Sequence, residues 1–519
     1  MALLPAPVSV TAGNTAVFPI MRMRGHARSR WAQAIAALLF AAVLIALVRG
    51  PLAADLEHVL DGAHVSGASV ISDGAGTTAA ASPLTLDRLT TSTPAELAVL
   101  SAHEMTALHA LAASTPPRAV DDWWRSLSTA RQNALIAGVP ALIGRWDGVP
   151  PRARVAANRN LAGEELRRLT KDAAAFSVSA DYLRYLRRAA DGQVQLYLWD
   201  PQHSAVIEMT GDPQTARSIL FVVPGTNSDV SSFTAADPVT AFARWQVAHA
   251  RPADGVVAFT VMTGPMPHLT MDLVALWSNG PQNNAFAFER GREYARFVEG
   301  VEDALPRVPT VSFEHSYASA IGSAAERDGA RFSARFLAAS VGAPAGYRPV
   351  SGTEYYAAQA PNDINRYYSG VQIAEVGFAT TPESIPGIHV LDTGLTGSKM
   401  DPGALVQQTQ GSVIGAVVAL ASQLPASVEN HNTLLSADAS RNGSVLKSVA
   451  KVLRDATAGP ASAGPPQSAV RPASPAASQK SASSAPAASP QSAGHSASAA
   501  SPQGPGPSAS AGPPQGSGR

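Results

Sequence analysis

The chain has 519 residues, with 39 Lys and Arg balanced by 39 Asp and Glu, and no cysteine. Zero net charge, with no basic run interleaved with aromatics, leaves no electrostatic footprint for nucleic acid. The missing thiols exclude disulfides, thiolate metal sites and a cysteine nucleophile. The histidines are scattered, no HExxH occurs, and His103 and His109 have the wrong spacing for one helix face, so no metal or cofactor is implied.

The N-terminus reads as an address. Residues 1–30 form a basic segment in which Arg22, Arg24, Arg28 and Arg30 precede an apolar run, 31–48, broken only by Gln33. That run is short for a bilayer span and long for a signal-peptide core. An uncleaved anchor is the preferred reading, with the arginines cytoplasmic and the rest of the chain outside. Leu52-Ala53-Ala54 is a loose cleavage signal, and its use would make the protein secreted. Residues 49–90, rich in Gly, Ala, Ser and Thr, read as a linker.

Residues 91–180 read as a helical extension. Apolar positions at helical spacing run over 94–113, with Thr93 as the cap. A second helix is expected over 121–137, where Asp121 and Asp122 suit the positive end of a helix dipole and Trp123 and Trp124 anchor packing. A third covers 161–175. The pattern then changes over 181–455. Residues 194–199 and 205–209 flank an Asp-Pro turn and predict a hairpin. Apolar strands follow at 219–223, 256–262, 308–313, 335–339, 354–358 and 388–391, with helices over 288–305, 317–327 and 445–453 between or after them. Alternation of this kind predicts an α/β fold, a mostly parallel sheet covered by helices on both faces. Residues 456–519 are almost wholly Ala, Ser, Pro, Gly and Gln. They lack the apolar side chains that offset the entropy of ordering, and are expected to be a disordered tail.

In such sheets ligands bind beyond the carboxyl ends of the strands. One strand ends there in Glu314-His315-Ser316-Tyr317-Ala318, the outline of a nucleophile elbow. A serine hydroxyl needs a base to take its proton and an acid to orient that base, and in this topology they follow in the order Ser, Asp, His. Asp363, in a turn-rich loop after 354–358, is the preferred acid, with Asp392 the alternative. His431, placed on a loop before the terminal helix, is the preferred base. His389 is the alternative, though it falls in an apolar strand and reads as a core histidine. The oxyanion needs backbone donors: Tyr317 N–H after the nucleophile, and Thr226 N–H in Pro224-Gly225-Thr226, where Gly225 permits close approach. Met266, Met271, Leu273, Leu276 and Trp277, in the 264–284 region, are candidates for an acyl pocket, although a packed insertion is the commoner use of such residues.

With these pieces the chain resembles the DUF1023 group of α/β-hydrolase-fold proteins over about 120–453. The resemblance rests on Trp123-Trp124-Arg125-Ser126-Leu127-Ser128, on Ile143-Gly144-Arg145-Trp146-Asp147-Gly148-Val149-Pro150 continuing to Ala157-Asn158-Arg159, on Val223-Pro224-Gly225-Thr226, on His315-Ser316-Tyr317, and on His431 followed by Leu434-Leu435. It implies an α/β-hydrolase fold with a helical N-terminal extension and a Ser-Asp-His triad, but no particular substrate. A small-molecule or lipid-like acyl compound is the expected partner, together with the membrane. The family elbow has glycine where this chain has Glu314. A side chain there crowds strand against helix, and a carboxylate near the oxyanion opposes developing charge. Glu314 is therefore expected either to open the elbow and point to solvent, or to impair catalysis. The second outcome would leave a hydrolase-like binding or scaffold module of the cell envelope.

Overall fold

Eight short segments pair into one sheet in the computed structural model, which describes residues 84–171, 178–269, 280–373, 376–397 and 413–458. They are β1 (Gln195–Asp200), β2 (Ala205–Thr210), β3 (Ser218–Val223), β4 (Val256–Met262), β5 (Thr310–His315), β6 (Ala334–Ala338), β7 (Glu354–Ala358) and β8 (His389–Leu391). Their spatial order is β1-β2-β4-β3-β5-β6-β7-β8. The β1–β2 hairpin is antiparallel and β2 runs antiparallel to β4, while every pairing from β4 to β8 is parallel. This is the α/β fold expected from the alternation of apolar strands and helices. The carboxyl ends of six parallel strands therefore collect along one edge, and the loops that leave them form the site.

Strand side chains alternate between two cores, as the period of two requires. Ile219, Phe221 and Val223 of β3 face one core, and Leu220 and Val222 face the other. The first core is covered by α1 (Pro151–Lys171), α2 (Ala180–Ala190), α4 (Asn284–Ala304) and α5 (Ala318–Arg327). The second is covered by α3 (Ala241–His249) and α7 (Ala439–Ala458), the helix that follows α6 (Val413–Thr433). Phe221, Phe259 and Phe297 meet edge-on or tilted at 5.3–5.8 Å, a geometry worth about 0.5–1.5 kcal/mol per pair beyond burial.

The helical extension departs from expectation in its boundaries. The 94–113 helix divides into Pro94–His103 and Met105–Ser114 at Glu104, which pairs with Arg88. Thr93 does cap it, in a reciprocal box with Glu96. The helix predicted from Asp121 begins at Pro117 and ends at Ser126, and a second starts at Thr129 with Ser128 as its cap. Asp121 sits mid-helix and pairs with Arg125, so it serves no dipole role. The predicted linker already contains the helix Leu86–Thr91, whose Leu89 is buried. The predicted tail begins inside α7, which runs to Ala458. The basic segment, the 31–48 run and the tail beyond 458 lie outside the described residues. Among the described residues no helix is long and apolar enough to cross a membrane.

The unusual Ile143–Pro150 segment proves to be a seam between extension and sheet. Arg154 of α1 is buried, ion-pairs with Asp147 at 2.7 Å, and donates to the carbonyls of Gly144 and Tyr197. Its guanidinium lies 3.9 Å from the Tyr197 ring centroid. Asn158 donates to the same two carbonyls. Gly148 has φ +96° and so little space that a Cβ would meet the Pro117 carbonyl oxygen at 2.0 Å. Arg154→Ala should cost on the order of 3 kcal/mol, the usual result of leaving a buried partner unpaired, read as a drop in the urea midpoint.

Candidate active site

The loop edge is set by the turn after β5. Ser316 has φ +60°, between the end of β5 at His315 and the start of α5 at Ala318. Positive φ is uncommon for a residue with a side chain and holds only where neighbours enforce it. Here the Ser316 N–H donates to Ala338 O at 2.8 Å, and Ser319 Oγ donates to Ser316 O at 2.8 Å. The loop after β3 presses directly on the serine. A Cβ on Gly225 would lie 2.6 Å from Ser316 Cβ and 2.7 Å from His315 O, so only glycine fits. Asn227, also at positive φ, fastens that loop outward by donating its N–H to Pro267 O and accepting from Leu269 N–H.

Thr226 N–H and Tyr317 N–H, the two expected oxyanion donors, have no acceptor among the described residues. Tyr317 is otherwise fixed: its hydroxyl donates to Asn283 O at 2.6 Å and its ring is buried.

The structure brings Asp363 and His431 together. His431 Nδ1 lies 3.1 and 3.3 Å from the two Asp363 carboxylate oxygens, and Asp363 is fully buried. A carboxylate only accepts, so Nδ1 carries the proton and Nε2 is left as the basic nitrogen. His431 does not stand on a loop as expected. It sits in the last turn of α6, three residues or fewer from the helix end at Thr433. Its ring centroid is 4.7 Å from that of His315, which places it beside the residue preceding Ser316. The alternatives lie elsewhere. Asp392 is exposed and accepts from Gly394 N–H in its own turn. His389 is exposed on β8 and stacks on Tyr356, so it is no core histidine.

Asn365 was not anticipated. Its Nδ2 donates to Ser316 Oγ at 3.3 Å and to Ala339 O at 2.7 Å, while its N–H donates to Asp363 Oδ1 at 2.9 Å. One residue thus touches Ser316 and Asp363 together. Only its place two residues after Asp363, in a loop built from Asn and Asp, signals it in the sequence.

Glu314 does not point to solvent. It is fully buried and faces α5, within a cluster centred on Arg335 of β6. Arg335 Nε and Nη2 contact its two oxygens at 2.8 and 2.5 Å, and Ser312 Oγ donates at 2.7 Å. The same guanidinium holds Glu326 of α5 at 2.5 Å, and Tyr347 and Tyr355 hydroxyls also donate to Glu326. Burial pushes the Glu314 carboxyl up, opposed by the Arg335 charge. Room comes from Gly322, where a Cβ would meet Glu314 Oε1 at 2.1 Å. The elbow's side chain is therefore housed under the helix, where Arg335 binds both of its oxygens.

Of the acyl-pocket candidates, Met266 is buried beside this edge, whereas Met271, Leu273, Leu276 and Trp277 lie outside the described residues. Among the described residues no group of three or more His, Asp or Glu side chains is placed to hold a metal ion.

No family model matches the chain, and no curated protein matches it either. Glu314→Gly should cost about 3 kcal/mol, because it strips Arg335 of one buried partner, and should leave chemistry at Ser316 no faster. Urea unfolding and acylation rates of the variant check both halves. A stable variant with a raised rate would mean that the carboxylate crowds the elbow after all.

Proposed function

We propose that this protein is a serine hydrolase that cleaves an ester or related acyl bond. The observation that carries the proposal is the Asp363–His431 hydrogen bond beside a serine held at positive φ, with two N–H groups after β3 and β5 that have no acceptor among the described residues. Ser316 Oγ attacks the acyl carbon while His431 Nε2 takes its proton. Asp363 holds the imidazole in that tautomer and balances the charge it gains. The carbonyl oxygen becomes an oxyanion bound by Thr226 and Tyr317 N–H. Collapse of the tetrahedral intermediate breaks the bond to the leaving group, which takes the proton from His431 and leaves an acyl-serine. Water, activated by the same base, then releases the acid and restores the enzyme. No hydrogen bond joins Ser316 Oγ to His431 here. Such contacts are often long without substrate and tighten in the complex.

The resemblance to the DUF1023 group supports the same reading and names no substrate. A small-molecule or lipid-like acyl compound is the class we propose. We also propose that residues 31–48 anchor the enzyme with its catalytic part outside the cytoplasm, or direct its secretion if cleaved. The alternative of an impaired binding or scaffold module drew on Glu314. With that carboxylate bound to Arg335, no observation favours it over the enzyme.

A fluorophosphonate probe should label the wild-type protein and fail to label Ser316→Ala, since removing the nucleophile of a working triad costs on the order of a millionfold in kcat. Folded, unlabelled wild type that is inert on acyl esters would sink the proposal. Asp363→Asn should lower the rate by about 10⁴, the cost of the wrong histidine tautomer, whereas Asp392→Asn should be nearly silent. The reverse pattern would move the acid role to Asp392.

A further inference from the structure

His315 has no role in the chemistry above, yet it is buried at the end of β5, adjacent to the nucleophile. Its Nε2 lies 2.9 Å from the backbone carbonyl oxygen of His431, and the two rings meet edge-on at 64°. A carbonyl only accepts, so Nε2 carries the proton and donates. The last carbonyls of a helix have no partner within it, and His431 stands in the last turn of α6. Leu435 N–H turns instead to Asn432 O, which leaves the His431 carbonyl to His315.

We propose that His315 is a positioning residue that fixes the spacing of nucleophile and base by holding the main chain of His431. The inference rests on the reading of Ser316 and His431 as that pair. His431 is then tied at two points. Asp363, on the loop after β7, orients its ring, and His315, on β5, sets where its backbone stands. His315 itself is locked in the sheet opposite Ala338, the residue whose carbonyl receives the Ser316 N–H. The path from Ser316 to the backbone of His431 thus runs through one peptide link, one rigid ring and one hydrogen bond. Burial pushes the His315 imidazole down to about 3, so it stays neutral at ordinary pH and does not compete for the serine proton.

The test compares fluorophosphonate labelling of the full-length protein in wild type, His315→Gln, His315→Asn and His315→Leu. Glutamine can bring an amide N–H to the place of Nε2. Asparagine stops short of the His431 carbonyl, and leucine has no donor. Misplacing a reacting group by about 1 Å costs on the order of 100-fold, so the Asn and Leu variants should lose roughly 10- to 100-fold in the labelling rate at saturating probe. The probe concentration for half-saturation should stay put, and the Gln variant should keep most of the rate. A purely structural role would not separate Gln from Asn. Should the Leu variant fail to fold, the Gln–Asn pair decides alone. Equal rates in Asn and wild type, or a loss shared equally by Gln and Asn, overturns this inference while leaving the triad in place. Wild type that takes no label overturns the triad reading and this inference with it.

Discussion

Arg335 is the side chain on which the corner carrying Ser316 depends. It lies in β6, reaches under α5 to Glu326 and back across to Glu314 of β5, and receives no help from solvent. Tyr355 of β7 and Tyr347 extend the network to the next strand and its preceding loop. Two carboxylates share one guanidinium, so hydroxyl donors must complete the shells, and Ser312, Tyr347 and Tyr355 do so. Buried ion pairs seldom add net stability over an apolar packing of the same volume. What this one supplies is register: β5, β6 and α5 fit the cluster in one relative placement only. That placement matters because the turn between β5 and α5 is strained. Ser316 at φ +60° and Ala339 at φ +49° each cost on the order of 1–3 kcal/mol; Ser316 N–H is held by Ala338 O of β6, and Ala339 N–H by Ala358 O of β7.

From that corner the site assembles by close approach. Gly225, the residue before Thr226, lets the loop after β3 touch Ser316 with no side chain between them. Asn365 then spans the far side, joining Ser316 Oγ, Ala339 O and Asp363. Asp363 is thus tied through Asn365 to the turn that holds Ser316. His431 arrives last in the chain, on α6, and is fastened to β5 and to the loop after β7. Ser316, Thr226, Asp363 and Asn365 all follow the carboxyl ends of parallel strands, where loops are free of ladder bonds and can turn polar atoms toward a ligand.

Much of this was legible because it is local. β3 and β4 are apolar on both faces, which only a covered parallel sheet explains, and the order Ser316, Asp363, His431 can be read along the chain. The hairpin and Gly225 also follow from short patterns. What could not be read depends on distant partners. Glu314 looks disruptive because Arg335 and Gly322, which accommodate it, are identified by no spacing rule. His431 reads as a loop residue because Asn430 and Asn432 flank it, yet α6 runs on through Pro425 to Thr433. His389 reads as core from its apolar neighbours, but β8 is a short edge strand and leaves it exposed. Helix ends at Glu104 and Ser126 were missed for the same reason, since tertiary packing decides where a helical run stops.

The space that Glu314 needs at the elbow comes from the residue that faces it across the strand–helix contact. A strand that turns directly into a helix leaves too little room for two side chains at the point of closest contact, so one of the facing residues must be small. In this chain the small residue is on the helix, at Gly322, and the strand carries Glu314. Farther along α5, Ala324 faces Gly291 of α4, where a Cβ would approach to 2.4 Å, so the helix is pressed from both sides. A buried carboxylate in the strand position then requires a cation, and the neighbouring strand supplies Arg335 two residues after Ser333. The helix needs an acceptor of its own for the far side of that guanidinium, which Glu326 provides. Glu314, Gly322, Glu326 and Arg335 therefore form one unit of substitution. Changing the glutamate alone unbalances a charge cluster, and changing Gly322 alone drives a side chain into it. Gly322 thus gives up, on the helix, the space that the Glu314 side chain takes on the strand.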